Sequence, residues 1–176
     1  AFAVSNMVQD EMTAASYFSQ GLVISNYREA GSPALAQKHR QYGVMFPKQV
    51  GFPHDVRIRR SAHAIRVGYI SPDFRLHAAA YFFSALLKSG NHTDFTVYGY
   101  STGREDHITQ RVKKMADYWR NVHGRSPQEI AKLIHDDRID ILVDLSGHSQ
   151  NNCLPVMACR PAPVQISGIG YINTTG

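Results

Sequence analysis

The sequence has few cysteines and no long apolar run. Its two cysteines, Cys153 and Cys159, are too few for a disulfide framework or a zinc knuckle, which favours a reducing compartment. No apolar run approaches the ~18 residues that span a membrane. With 43% hydrophobic and 19% charged residues in 176, the composition is that of a globular domain rather than a disordered chain. We therefore expect a folded cytoplasmic protein without a membrane segment.

Two common phosphate-binding motifs are also missing. Neither G-x-G-x-x-G after the first predicted strand nor G-x-x-x-x-G-K-[ST] occurs, which excludes a dinucleotide fingerprint and a P-loop. The net charge is +5, and the densest basic cluster contains Arg57, Arg59, Arg60 and Arg66. No aromatic residues alternate with these arginines, and no helix-turn-helix or RNP pattern follows. We interpret the cluster as a solvated basic segment and predict no nucleic-acid partner.

The first part of the chain has a helical pattern. Residues 1–47 contain no good strand and predict two helices, the first over Met7–Ile24. The second begins after Ser32, an N-cap residue that is followed by Pro33 at the first helical position. Residues 48–64 form a predicted connector.

Residues 65–176 predict strands that alternate with helices. The predicted strands cover 65–70, 95–100, 118–122, 139–145 and 162–166, and the predicted helices cover 79–88, 106–117, 127–135 and 152–158. Ser126 and Glu129 form a capping box at the start of the third of these helices. Such alternation is typical of a mostly parallel sheet, so we predict an α/β, Rossmann-like domain preceded by a short helical segment.

Ligands of open parallel sheets bind beyond the carboxyl ends of the strands. The loop after the first predicted strand contains Asp73 and His77, and the loop after the fourth contains Gly147 and His148. Because imidazole titrates near neutrality, either histidine could act as a general acid or base. The alternative is that each histidine bonds the local backbone, and that Asp73 only holds its turn.

Other polar residues allow less specific interpretations. Asp140 and Asp144 lie four residues apart on the fourth strand, where they could be paired acid–base carboxylates or structural hydrogen-bonding groups. The remaining histidines singled out are His39, His92, His107, His123 and His135. They lack metal-ligand spacing, so we predict no metal site.

Taken together, the strand-end segments resemble the O-GlcNAc transferase/SPINDLY glycosyltransferase family. RVGYISPDFRLH at 66–77 is similar to the family's GY(V/I)S-x-DF-x-x-H, and IDILVDLSGHS at 139–149 is similar to IDILVDL-x-GHT. RPAPVQ at 160–165 and GYINTTG at 170–176 resemble the family's RPAPVQ…GYPGTTG. Ser5-Asn6, Asn26-Tyr27 and His39-Arg40 resemble its helical segment before the catalytic region.

This resemblance implies one half of a GT-B fold, in which two Rossmann-like halves enclose a cleft. It implies that His77 lies on the acceptor and sugar side as the catalytic candidate, with Gly147 and His148 in the sugar site and Gly170 and Tyr171 facing the donor. The implied donor is UDP-GlcNAc, a substrate rather than a cofactor, and the implied acceptors are Ser or Thr hydroxyls of proteins. We expect these residues to belong to a longer protein whose second catalytic half and tetratricopeptide repeats lie outside them.

The match departs from the family pattern at five positions. They are Val4 for His, Ala78 for Pro, Cys153 for Arg, and Ile172 and Asn173 for Pro-Gly. These changes keep a second hypothesis open, a non-catalytic binding domain, and they leave the donor open among UDP-GlcNAc, GDP-fucose and UDP-glucose. A third hypothesis, a flavodoxin-like regulatory domain, requires an acidic pocket after the first strand that Asp73 alone does not form.

Overall fold

Three helices open the chain in the computed structural model, which describes residues 1–7, 9–45, 51–54, 64–88 and 93–176. These lead-in helices are α1 (Phe2–Ser5), α2 (Glu11–Arg28) and α3 (Pro33–Val44). The prediction of Met7–Ile24 was wrong at both ends. The Asp10 carboxylate caps α2 by accepting a hydrogen bond from the Thr13 amide at 2.8 Å, so the helix begins at Glu11, and it continues to Arg28. α3 begins where predicted, with Ser32 Oγ accepting from the Leu35 amide at 3.1 Å.

Among the described residues, five strands form one parallel sheet. They are β1 (Ile65–Ser71), β2 (Phe95–Ser101), β3 (Tyr118–Asn121), β4 (Ile141–Asp144) and β5 (Val164–Ser167), in the spatial order β3-β2-β1-β4-β5. All five predicted strands and the α/β class are confirmed. Asp140 lies at the start of β4, where it accepts a hydrogen bond from the Arg66 amide at 2.8 Å, and Asp144 lies at its far end. The two carboxylates therefore cannot act as a catalytic pair.

Four further helices cover the two faces of the sheet. They are α4 (Ala78–Lys88), α5 (His107–Lys113), α6 (Pro127–Asp136) and α7 (Leu154–Ala158). On one face, Phe83 of α4 and Val112 of α5 pack with Val143. On the other face, Ile134 of α6 packs in the same cluster as Leu142. Adjacent residues of β4 thus enter different clusters, as the two-residue period of a strand requires.

The lead-in helices pack against α7. Ala15 and Leu22 of α2 and Leu35 and Tyr42 of α3 form a third apolar cluster with Leu154. Because α7 follows the loop that leaves β4, this packing places α2 and α3 beside the carboxyl end of that strand.

Most of the predicted connector, 48–64, lies outside the described residues, and so do Arg57, Arg59 and Arg60. Within 51–54, the Phe52 ring stacks on His135 of α6 with 4.6 Å between centroids. The division of the chain into lead-in, connector and sheet domain stays a prediction.

Candidate functional site

The carboxyl ends of β1, β4 and β5 lie side by side at one edge of the sheet. We call this edge, with the following loops 72–77, 145–153 and 168–176, the rim. Because β2 lies on the other side of β1, the order of the strands reverses between β1 and β4, the point at which open α/β sheets bind ligands.

The buried Asp144 carboxylate joins two of the rim loops. It accepts hydrogen bonds from the Ser146 hydroxyl at 2.5 Å, from the Ser146 and Gly147 amides at 3.1 and 2.9 Å, and from the Ser167 hydroxyl at 2.7 Å. These four donors come from both the loop after β4 and the end of β5. The carboxylate is therefore a structural acceptor that fixes the two strand ends together.

Gly147 and Gly170 allow the same two loops to touch. Gly147 has φ of +53°, and a Cβ there would lie 2.2 Å from the Cβ of Tyr171. A Cβ on Gly170 would lie 1.9 Å from the carbonyl oxygen of Leu145. The structure thus brings the predicted residues Gly147, Gly170 and Tyr171 together, at a contact that only glycine permits.

His148 is buried beneath the lead-in helices, at 1% exposure. Its Nε2 lies 3.2 Å from the Thr175 carbonyl, which can only accept, so Nε2 carries the proton. Its Nδ1 therefore accepts from the Ser19 hydroxyl at 2.8 Å. Burial, with the nearby His39 as the second cause, lowers the pKa of His148 to about 4. At neutral pH this side chain is an uncharged ring with both nitrogens bonded.

The Tyr171 hydroxyl points back to the lead-in helices. It accepts a hydrogen bond from the Asn26 side-chain amide and lies 2.8 Å from His39 Nε2. Burial raises the pKa of Tyr171 to about 12, although the Asn26 hydrogen bond opposes the rise. Sequence reasoning missed Ser19, Asn26 and His39 as parts of this site. One pattern in the sequence could have identified them: polar residues spaced three or four positions from apolar ones on the buried face of a helix. His39, four residues after the buried Leu35, is an example.

His77 lies elsewhere on the rim, in the loop after β1. Its side chain is 47% exposed, and its Nδ1 accepts a hydrogen bond from the Ala79 amide at 3.3 Å and lies 3.9 Å from an Asp73 carboxylate oxygen. Because Nδ1 is the acceptor, the neutral ring carries its proton on Nε2. His77 therefore presents an N–H donor to a ligand, and it contacts its own loop rather than the group around His148.

A cavity of about 270 Å³ lies between α2 and the loop after β4. Its lining residues are Met12, Ala15, Ser16, Ser19, Gln20, Tyr42, His148, Ser149, Gln150, Asn151, Asn152 and Pro155. The polar groups among them are hydroxyls, amides and a neutral imidazole. The Ser149 hydroxyl oxygen is buried and has no hydrogen-bond partner among the residues that the structure describes.

Within the described ranges, no group of three His, Cys, Asp or Glu side chains is arranged to hold a metal ion. In the same part of the chain, no helix is both long enough and apolar enough to cross a membrane.

Four of the five departures from the family pattern are exposed, namely Val4, Ala78, Ile172 and Asn173, and Cys153 is buried. Two of the five, Cys153 and Asn173, contact the site region. Burial raises the pKa of the Cys153 thiol to about 12, and its Sγ lies 3.5 Å from the Thr102 hydroxyl. The Asn173 side-chain amide donates to Asn26 Oδ1 at 2.9 Å.

Comparison with known proteins agrees with the fold and with the motifs. The family model of glycosyl transferase family 41 matches residues 31–176. The chain belongs to this family. The SPINDLY protein of Arabidopsis thaliana, described as a probable UDP-N-acetylglucosamine–peptide N-acetylglucosaminyltransferase, is 35% identical over 97% of this chain and 18% of its own length. The rice protein of the same description is 38% identical over 88% of this chain and 18% of its own length.

A solved structure supports the same assignment of this family 41 chain. A mutant O-GlcNAc transferase from Thermobaculum terrenum superposes with a TM-score of 0.81 at 31% identity, covering 92% of this chain and 32% of that one. The resemblance read from the strand-end motifs is thereby confirmed. The chain spans less than a fifth of the length of the curated relatives it matches.

Proposed function

We propose that these residues form the first half of the catalytic region of a protein O-glycosyltransferase. The whole protein would transfer a sugar, GlcNAc from UDP-GlcNAc, to Ser or Thr hydroxyls of acceptor proteins. Family membership supports sugar transfer. The observation that carries the proposal is the half-exposed His77, whose Nε2–H is presented on the rim next to the point where the strand order reverses.

In an inverting transfer, the acceptor oxygen attacks the anomeric carbon while the bond to the nucleotide diphosphate breaks. A base or a water chain takes the hydroxyl proton, and hydrogen-bond donors stabilise the departing diphosphate. The Nε2–H of His77 suits the second kind of task, donating to an oxygen of the sugar, the acceptor or the diphosphate. In this proposal no cofactor is needed.

The other predicted site residues shape the cleft. We propose that Gly147 and Gly170 keep the two loops in contact and that the neutral His148 holds them in place. The uncharged polar lining of the nearby cavity suits sugar hydroxyls or a peptide backbone, and a ligand could supply the partner that Ser149 lacks. Cys153 and Cys159 are buried and are not joined in a disulfide, which fits a cytoplasmic site of action.

Nucleotide release tests this function. The longest natural polypeptide that contains these residues is incubated with a Ser/Thr-rich peptide and, separately, UDP-GlcNAc, GDP-fucose or UDP-glucose. The proposal predicts peptide-dependent release of UDP from UDP-GlcNAc, with the added sugar found by mass spectrometry. Release from another donor alone would correct the sugar while keeping the reaction class.

The second candidate is a non-catalytic binding domain. It is favoured by Cys153 and Asn173, because both stand where the family pattern has other residues and both contact the site region. A folded polypeptide that binds peptide or nucleotide sugar but releases no nucleotide from any of the three donors would establish this candidate instead.

A further inference from the structure

One hydroxyl group of the 168–176 loop, that of Tyr171, contacts both α2 and α3. We propose that Asn26 of α2 and His39 of α3 are positioning residues that hold this loop in its ligand-binding conformation through the Tyr171 hydroxyl. Both are buried, at 5% and 0% exposure, and both contact that oxygen. The consequence for donor binding rests on the proposed function, whereas the tie itself does not.

The direction of each hydrogen bond is determined by the chemistry of its partners. His39 Nδ1 lies 2.8 Å from the Leu35 carbonyl, which can only accept, so in the neutral ring Nδ1 carries the proton and Nε2 is the acceptor. The Tyr171 hydroxyl therefore donates to His39. Its lone pairs remain available for the Asn26 amide, which donates to it.

The side-chain amide of Asn26 has only one orientation that satisfies its hydrogen bonds. Its Nδ2 also donates to the Leu22 carbonyl at 3.0 Å, and its Oδ1 accepts from Asn173 at 2.9 Å. A flipped amide would place oxygen against the Leu22 carbonyl and nitrogen against the Asn173 amide. One orientation thus satisfies both ties to the loop, at Tyr171 and at Asn173.

Close packing supports the same contact. A Cβ on Gly43 of α3 would lie 2.8 Å from the Gly176 carbonyl carbon, so the end of the loop touches the helix backbone. The His148 ring packs edge-on against both Tyr171 and Tyr42, with centroids 5.0 and 4.4 Å apart. The loop is therefore held between β4 and α3.

A loop held in this way binds ligand without an ordering cost, so weakening the tie should affect substrate binding more than the chemical step. Loss of the Tyr171 hydroxyl removes the bonds to both Asn26 and His39. We expect KM for the nucleotide sugar to rise about tenfold, the effect of roughly 1.4 kcal/mol, with a smaller change in kcat.

The tie is tested first on this chain without any ligand. Tyr171→Phe keeps the ring, and Tyr27→Phe removes the same hydroxyl from the exposed tyrosine beside Asn26, so it is the matched control. Amide hydrogen exchange of 168–176 should become about tenfold faster in Tyr171→Phe and stay unchanged in Tyr27→Phe. Wild-type exchange in Tyr171→Phe would overturn the proposal.

A second pair of variants tests His39 as the acceptor. His39→Gln keeps an acceptor near the Nε2 position and should retain slow loop exchange, whereas His39→Leu should not. Nitrogen-15 shifts of wild-type His39 should show the Nδ1–H tautomer, and the Nε2–H tautomer would contradict the proposed direction of the bonds. If His39→Leu does not fold, Tyr171→Phe still decides.

Donor kinetics then separate this inference from the proposed function. In the longest natural polypeptide, Tyr171→Phe should raise the donor KM, while Tyr27→Phe should not. Faster loop exchange with an unchanged KM would keep the tie and contradict the donor-binding role of the loop. No nucleotide turnover by the wild type would contradict the proposed function alone.

Discussion

Two histidines follow adjacent strands of the same sheet but differ in their surroundings. His77, after β1, is half-exposed and bonded through Nδ1 to its own loop, so its Nε2–H can face a ligand. His148, after β4, is buried, and both its nitrogens are bonded to Ser19 and Thr175. The first arrangement leaves a donor available to a ligand, and the second holds protein segments together.

The cause of this difference lies outside the sheet. The lead-in helices pack on α7 and therefore cover the loop after β4. By contrast, α4 follows His77 directly, and its face with Ala78, Tyr81 and Phe82 is exposed. The rim thus has a rigid part at β4 and β5 and an open part at β1. Location at a strand end does not by itself make a residue functional.

The largest expected effect is on the shared scaffold. Leu142→Asp places a carboxylate on a fully buried position of β4 between two neighbouring strands. The lost packing costs ~2–5 kcal/mol, and an unpaired buried charge adds to this, against a total stability of roughly 5–15 kcal/mol. Circular dichroism should show an unfolded chain at 25 °C.

Two variants calibrate that result. Val143→Asp, at a partly buried position, should lower the stability less than Leu142→Asp does. Val164→Asp, at a half-exposed position of β5, should leave the chain folded. Equal damage from Leu142→Asp and Val164→Asp would show that the assignment of the sheet faces is wrong.

The rigid part of the rim should be sensitive to acid. Because folding lowers the pKa of His148 from 6.5 to about 4, the unfolded chain binds one more proton between these values. The neutral His148 therefore contributes fully to the free energy of unfolding above pH 6.5. This contribution, on the order of 3 kcal/mol, is lost as the pH falls toward 4. Urea unfolding at pH 7 and pH 5 should show roughly 2 kcal/mol of this loss, because the rest of it occurs only below pH 5.

His148→Gln isolates the histidine's share of that loss. Glutamine can still donate to the Thr175 carbonyl, but it does not titrate, so the stability difference between pH 7 and pH 5 should shrink. His107→Gln, at an exposed histidine on α5, should leave the difference unchanged. An equal pH dependence in all three proteins would contradict the buried, neutral state of His148.

A smaller effect is expected at the helix that covers His148. Ser32→Ala removes the N-cap of α3 and should lower stability by ~1 kcal/mol, seen as a lower urea midpoint. Gln37→Ala, at an exposed position of the same helix, is the control and should change it little. A Ser32→Ala midpoint equal to that of the control would mean that the cap is not formed in solution.

The fold was predictable because its signals are local. Buried parallel strands are short apolar runs, and Ser32 and Ser126 mark helix starts through bonds to residues three positions later. The start of α2 was placed at Met7 rather than at Glu11, because the apolar Met7 and Val8 precede the Asp10 cap in the sequence.

The site was only partly predictable because its contacts are long-range. Gly147, His148, Gly170 and Tyr171 were singled out and do lie together, but their partners on the lead-in helices are 129 to 145 residues away in sequence. Nothing local distinguishes the buried His148 from the exposed His77.

We expect no measurable binding when nucleotide sugar is added to this chain alone. In the proposed function the cleft is formed by two catalytic halves, of which these residues would supply one. Calorimetry with UDP-GlcNAc should show no binding in the micromolar range. Micromolar affinity would mean that the rim forms a complete donor site by itself.

Turnover by a His77 variant tests the central claim most directly. In the longest natural polypeptide, His77→Ala should lower nucleotide-sugar turnover by ~10²-fold or more, the scale of one positioned polar group. Its melting temperature should stay close to that of the wild type, because the side chain is half-exposed, and His107→Ala should change neither quantity. Wild-type turnover in His77→Ala, or a large loss of melting temperature with turnover intact, would contradict a functional role for the open part of the rim.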